Sequence, residues 1–578
     1  MIYRILFLFL LLFLAGCGEV KIIEPYPTQQ SRTILTNGQI YTVDSNNPWA
    51  NTMVFEKGEI LFVGDAKDAQ SYRTNSSKEI DLRGKFVMPG LVDSHTHPGL
   101  VAMLSEDSED GSAIELPTSS KAELLAFLED YASEHWYQPF ILLGSWDVLS
   151  FLPQGPSKEE LDEIFPYRPV ILLDNSGHSF WANSAALWLL DVDKSTPDLS
   201  SISYFVRDKQ GEPTGWIKEF ALFPYLGNLI LPSEDIIEHK LVTFLNKLTE
   251  LGVTTLWDAG NFDWDDEVYS ILSDLDKAGK LPLHYEGSYH IWDPKQLPEA
   301  IKQFKALKRK YSGERLHFNT IKIHYDGVAE IQTAAMLEPF VGTEHNKGGI
   351  LFSVQELSEF MMQLNKENIH LHLHTVGDRA TQEALNAVEL ANASIKGNLN
   401  IKVTLSHLET VAEKDIKRFQ QLGVFANFTP HWFGGDHFGQ AGAFNIGEER
   451  AARSQEVHKF SAHDALITLS SDVTSESESD RANPFIGLQM SITRKEYNST
   501  GKYQISPIQG LSLPEALAAY TINGAKQLGI GKEIGSLSVG KKANFIIFEN
   551  NLMSQPIEEL YKTTPQAVYM EGVEYSGG

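Results

Sequence analysis

The 578-residue chain contains one cysteine, Cys17. Disulfides within the chain are therefore excluded, and any metal centre must be built without thiolate, from histidine and carboxylate above all. Basic residues are also in short supply: 48 Lys and Arg face 76 Asp and Glu, a formal net charge of −28. That imbalance argues against nucleic acid as a partner and against adsorption to anionic lipid through charge. The apolar run at the N-terminus, Ile5–Leu14, spans ten residues and is too short to cross a bilayer. Low-complexity segments and internal repeats are missing as well. What remains is an ordinary globular composition, 42% apolar and 11% aromatic, in a chain long enough for a barrel of about 250 residues and more besides.

Arg4 ahead of the apolar run and Leu14-Ala15-Gly16-Cys17 behind it make residues 1–16 a cleavable export signal. The L-A-G-C arrangement resembles a bacterial lipobox. It implies cleavage before Cys17, acylation of the sulfur, and a lipid-anchored position in the bacterial cell envelope. The alternative is an ordinary signal that happens to contain a cysteine. Residues 17–31, polar with two prolines, read as a tether.

From Thr33 the pattern is β: ILTNGQIYTVD, then TMVFEKGEILFVG, with turns at Asn37-Gly38 and Lys57-Gly58. A similar pattern returns in EIGSLSVGKKANFIIFENN and QAVYMEGVEYSG, so residues 32–87 and 509–578 are expected to form one small β-sandwich from both chain ends. Between them, over 88–508, eight apolar runs alternate with helical stretches. They end near His95, Asp258, Tyr289, His324, His374, His407, Asn427 and Asp472. Eight strand–helix repeats are the sign of a (β/α)₈ barrel, in which functional groups collect at strand C-termini. The first interval is too long for one helix, so an inserted subdomain is expected over about 101–250, with strands in PFILLGSWD and RPVILLDNSGH.

Several strand ends carry chemistry. In FVMPGLVDSHTHPGL, alternation along a strand puts His95 and His97 on one side with Asp93 behind them. Two imidazoles at the end of a buried strand are half of a metal site, although an isolated pair could equally be hydrogen-bonded loop histidines. Lys322 in NTIKIHYDG faces a barrel interior, where a free ammonium is costly. Either CO₂ carboxylates the amine, giving an anion able to bridge two metal ions, or the lysine pairs with Asp326. His370, His372 and His374 share one face of IHLHLHTVGD, and only His374 reaches the strand end. His407 closes IKVTLSH, and Asp472 follows ALITLSS, where a carboxylate needs a cation or strong donors.

Taken in order, PGLVDSHTH, DNSGHSFWANSAAL, GEPTGWIKE, IKIHYDG, HTVGDRA, TLSHLE, SSD and EALAAYTINGAKQLG resemble the metal-dependent amidohydrolase superfamily. The similarity is to amidohydrolase family 3, the branch with N-substituted formamide deformylase-like proteins, and it covers nearly the whole mature chain. The resemblance implies one or two divalent ions per chain, zinc foremost, with His95 and His97 on the more buried ion, a carboxylated Lys322 bridging, and His374 and His407 on the second. Asp472 would be ligand and proton shuttle, and His178 would reach over from the insert to the substrate. Two residues depart from the pattern: Asn544 replaces an aspartate, and Gln332 stands where arginine or serine is common. Glu219 fits the pattern without an assigned role beyond a loop contact.

The reaction implied is hydrolysis of an amide, formamide or cyclic amide by a metal-activated water, with Asp472 taking the proton and returning it to the leaving amine. An esterase or lactonase on the same scaffold, and a non-catalytic solute-binding lipoprotein, are the competing readings. Expected partners are a small amide-type molecule and, through the lipid on Cys17, a membrane; a homo-oligomer is compatible with the sequence. Trp146, Trp181 and Trp432-Phe433 are candidates for an aromatic pocket lining, or for core.

Overall fold

The centre of the molecule is a ring of eight parallel strands whose polar ends all lie on one face. In chain order they are β1 (Leu91–Thr96), β2 (Val253–Asp258), β3 (His284–Ile291), β4 (Leu316–His324), β5 (His370–Thr375), β6 (Val403–His407), β7 (Phe425–Phe428) and β8 (Leu466–Leu469). Each pairs with its neighbour in sequence, as right-handed β–α–β units require. The computed structural model describes residues 26, 31–104, 116–117, 120–226, 231–433, 437–476, 478–498 and 509–576. Cys17 and the expected export signal, residues 1–16, lie outside them. Among the described residues no helix is long and apolar enough to cross a membrane.

The helices that cover the barrel follow from local patterning. Val354–Glu367 begins with a capping box of Ser353 and Glu356, ends at Asn368 in the left-handed conformation, and buries Leu357, Phe360, Met361 and Leu364. That spacing puts one apolar stripe on the barrel, and Leu371 and Leu373 of β5 join it in the same core. β1 and β8 close the ring through scattered bonds. Ser94 Oγ donates to the Leu469 carbonyl at 3.0 Å, and Asp472 N–H to the His95 carbonyl at 2.9 Å.

The sandwich joins both ends of the chain, as expected: Phe545–Phe548 runs antiparallel to Phe86–Pro89 in a six-stranded sheet, and a four-stranded sheet holds Thr33–Thr36. Residues 513–527, expected within the sandwich, are instead largely helical, and Gln527 bonds to Ser94 and Thr468 at the β1–β8 seam. They belong to the barrel wall. The insert is a five-stranded sheet that includes Ile141–Trp146 and Val170–Asp174. It ends earlier than expected, because helix Glu234–Glu250 packs beside β2 as the barrel's own helix. The tether is not free throughout: Tyr26 is buried, its hydroxyl donates to Asp276 at 2.6 Å, and the Arg315 guanidinium covers its ring at 4.0 Å.

Candidate metal centre

The sequence-predicted residues converge at the strand C-termini. His95 Nε2 lies 3.0 Å from Lys322 Nζ and 3.3 Å from Asp472 Oδ1. His97 Nε2 is 3.6 Å from the same oxygen, and His407 Nδ1 is 3.4 Å from Asp472 Oδ2. His374 packs against His407 with ring centroids 4.4 Å apart. Strand register explains the gathering: Lys322 sits level with His290 and His372, and Thr375 with His407.

Three of the four imidazoles, those of His95, His97 and His374, are oriented from behind. His97 Nδ1 bonds to the Gly260 carbonyl at 3.1 Å and His374 Nδ1 to Asp326 at 3.2 Å, which leaves Nε2 of both for the cavity. His95 Nδ1 meets His372 Nε2 at 3.1 Å, and Trp257 stacks on His372. Outer partners of this kind are what metal-ligating histidines have. Asp93 accepts from the Ser471 hydroxyl at 2.5 Å and the Ser471 amide at 3.0 Å, and so clasps the histidine strand to the Asp472 segment. His407 and Asp472 both hold left-handed backbone, at φ 73° and 53°, a conformation that non-glycine residues keep only where the surroundings impose it.

Burial pulls the His95, His374 and His407 imidazoles well below the ordinary histidine range, and His97 down to about 3, so all four present neutral nitrogens at neutral pH. Burial also pushes the Asp472 carboxyl up and the Lys322 ammonium down. The pairing of Lys322 with Asp326 does not occur. Asp326 is occupied by the amides of Ala335, Val376 and Gly377 and by His374, and the nearest side-chain partner of Lys322 is His95. The donor set suits a divalent cation: the ligand atoms of His95, His97 and Asp472 lie within 4.8 Å of one another, and His407 Nε2 is buried without a hydrogen-bond partner. Neutral imidazoles with a carboxylate and no thiolate are a donor set that several divalent metal ions accept.

A cavity of about 330 Å³ opens over these groups. Phe220, Phe223, Phe262 and Trp432 form much of its apolar wall, and His178 lines it from the insert. Trp146 and Trp181 do not; both are fully buried in the insert core. Gln332 is tied to Asn445 and Asn346 in a loop network and is not part of the lining. Asn544 lies at the sandwich–barrel junction, where its carbonyl accepts from Gly90 and its side chain from the Glu571 amide.

His290 and His324, not singled out from the sequence as site residues, also line the cavity. For His324 the signal was available: it stands two residues after Lys322 on β4, the same spacing that relates His95 to His97.

The amidohydrolase family model matches residues 78–574. N-substituted formamide deformylase of Arthrobacter pascens is 26% identical over 570 residues, covering 94% of this chain and 98% of its own. Putative amidohydrolase YtcJ of Bacillus subtilis (strain 168) is 24% identical, covering 90% of this chain and 94% of its own. Among solved structures, an uncharacterized metal-dependent hydrolase from Pyrococcus horikoshii superposes with a TM-score of 0.66 at 23% identity, over 91% of this chain and 99% of that one. That likeness concerns the fold, whereas the family model spans the barrel and the sandwich strands from residue 78 onward. The chain belongs to the amidohydrolase family.

Proposed function

We propose that the protein is a metal-dependent hydrolase that cleaves a C–N bond in a small amide, formamide or cyclic amide. The observation that carries this reading is the set His95, His97, His374, His407 and Asp472, gathered around Lys322 beneath an apolar cavity. His95 and His97 would hold one ion and His374 and His407 a second. Asp472 would ligate as well, and Lys322 would bridge as its carbamate. Zinc-type ions bound there would supply Lewis-acid polarisation and a lowered water pKa.

The chain's own groups do the rest. Asp472 accepts the proton of the attacking water and returns it to the departing nitrogen. The backbone bond from Asp472 N–H to the His95 carbonyl holds that carboxylate against the histidine pair. His178 faces the carbonyl oxygen as it gains charge. The phenylalanine wall excludes water from around the reacting bond and suits a substrate with an apolar substituent. The name of the Arthrobacter relative supports the formamide end of this range.

Cys17 and the L-A-G-C stretch support export and lipid anchoring in the cell envelope. The test of the activity is a panel of N-substituted formamides, cyclic amides, dipeptides and esters, run on protein stripped by chelator and then reloaded with zinc. Amide or formamide turnover that vanishes on stripping and returns on reloading is expected. Turnover of esters alone, or turnover indifferent to metal, would overturn the reading.

A further inference from the structure

One buried carboxylate, that of Glu219, touches both the insert and the barrel. This residue follows the insert strand Pro213–Lys218 and adopts φ 51°, left-handed backbone that a glutamate holds only under constraint. Its N–H donates to the His178 carbonyl at 2.6 Å, and its Oε2 lies 2.6 Å from His178 Nδ1. The other oxygen turns to the barrel. Oε1 accepts from Val328 N–H at 3.3 Å and from the Thr333 hydroxyl, both on the loop that follows β4. Gly327 makes that approach possible, since a Cβ there would lie 2.2 Å from Oε1. Alongside, Lys218 Nζ donates to the Ile331 carbonyl at 2.7 Å.

The main chain of His178 is pinned separately: Asp174 Oδ1 accepts from its N–H at 2.9 Å and from Ser179 N–H at 2.8 Å. Only rotation of the ring is left open, and Glu219 closes it. Ligand atoms of His178, Glu219 and His324 lie within 4.8 Å of one another, a spacing that would also allow a cation. The contacts speak against one. His178 Nδ1 is bonded directly to the carboxylate, both carboxylate oxygens have partners, and His324 Nε2 stays 3.7 Å from Glu219 Oε2.

We propose that Glu219 is a positioning residue, held by Thr333, that accepts the Nδ1 proton of His178 and fixes the ring as an imidazolium whose Nε2–H faces the substrate carbonyl oxygen as its carbon becomes tetrahedral. The inference rests on the hydrolytic reading of the cavity. A carboxylate on Nδ1 sets the ring's orientation and favours a proton on both nitrogens, and its loss leaves a ring free to turn. Glu219→Gln in the metal-loaded enzyme is therefore expected to lower kcat about tenfold to a hundredfold, with KM and metal content little changed. Since Glu219 acts through His178, the Glu219→Gln change should add nothing in a His178→Gln background. Thr333→Ser should behave as the parent, and Thr333→Val should fall between parent and Glu219→Gln. Additive losses in the double variant would overturn the proposal, as would loss of metal in Glu219→Gln or His178→Gln, which would make the cluster an ion site.

A readout independent of turnover is the ¹⁵N histidine spectrum, with the His178 signal identified by its loss in His178→Gln. The parent should show protons on both ring nitrogens, and Glu219→Gln should lose one of them. An unchanged protonation pattern would refute the positioning role. A changed protonation pattern in a protein that hydrolyses no carbonyl substrate would support the positioning role while refuting the hydrolytic reading.

Discussion

Replacing Lys322 by alanine tests the fold, the ligand set and the chemistry together. Lys322 Nζ is buried, 3.0 Å from His95 Nε2, and Asp326 is committed elsewhere. An ion on His95 Nε2 would sit about 4 Å from an ammonium at that position. At an effective dielectric of about 20, a dication and an ammonium at about 4 Å repel by about 8 kcal/mol, several powers of ten in affinity. The ammonium form is thus incompatible with a loaded site. Carboxylation would replace that repulsion with an attraction of similar size, the amine gaining CO₂ and releasing a proton.

Lys322→Ala should therefore lose at least one ion per chain and lower hydrolysis at least about a hundredfold, since a loss of about 3 kcal/mol already accounts for that factor. Acetate or propionate, filling the vacated space, should restore part of both. Elemental analysis and turnover with and without the acids are the measurements. Carbon-13 supplied as bicarbonate should also give a carbamate signal that Lys322→Ala lacks. Full metal content with near-normal turnover would refute the reasoning; retained metal without rescue would point to a plain neutral lysine.

Asp258 ends β2 as a functional residue would, yet it accepts from Gly260 N–H, Asn261 Nδ2 and the hydroxyls of Tyr269 and Tyr285, at 2.8–3.1 Å. Asp258→Ala strands several buried donors and should destabilise by about 3–5 kcal/mol in urea unfolding with metal per folded chain unchanged; lost metal at unchanged stability would make Asp258 a ligand. Burial lowers the His284 pKa to about 4 against 6.5 for a free histidine. The unfolded chain therefore takes up a proton first as pH falls, and about 3 kcal/mol of stability present above pH 6.5 is lost on the way to about pH 4. His284→Gln should flatten this part of the stability–pH curve, and an unchanged slope would contradict the assignment. Cys17→Ser should release the protein from the membrane fraction with its hydrolysis intact; persistent attachment would rule out the lipid anchor.

The eight strands, the sandwich from both chain ends and the strand-end positions of His95, His97, Lys322, His374, His407 and Asp472 were all legible in the sequence. Each rests on a local pattern, period-two alternation in a short apolar run followed by a polar residue, which the chain carries wherever it goes. The partners of those residues were not legible. Lys322 lies four residues from Asp326, yet ring closure turns it to His95, far away in sequence, while Asp326 is consumed by backbone amides of the β5 turn. The same limit hid the link between His178 and Glu219, and it misassigned helix 234–250 and residues 513–527, whose amphipathic patterns suit any apolar surface. A hydrogen bond or a charge contact depends on which strands become neighbours when the barrel closes. That is settled by burial of the whole core, and no single stretch of sequence contains it.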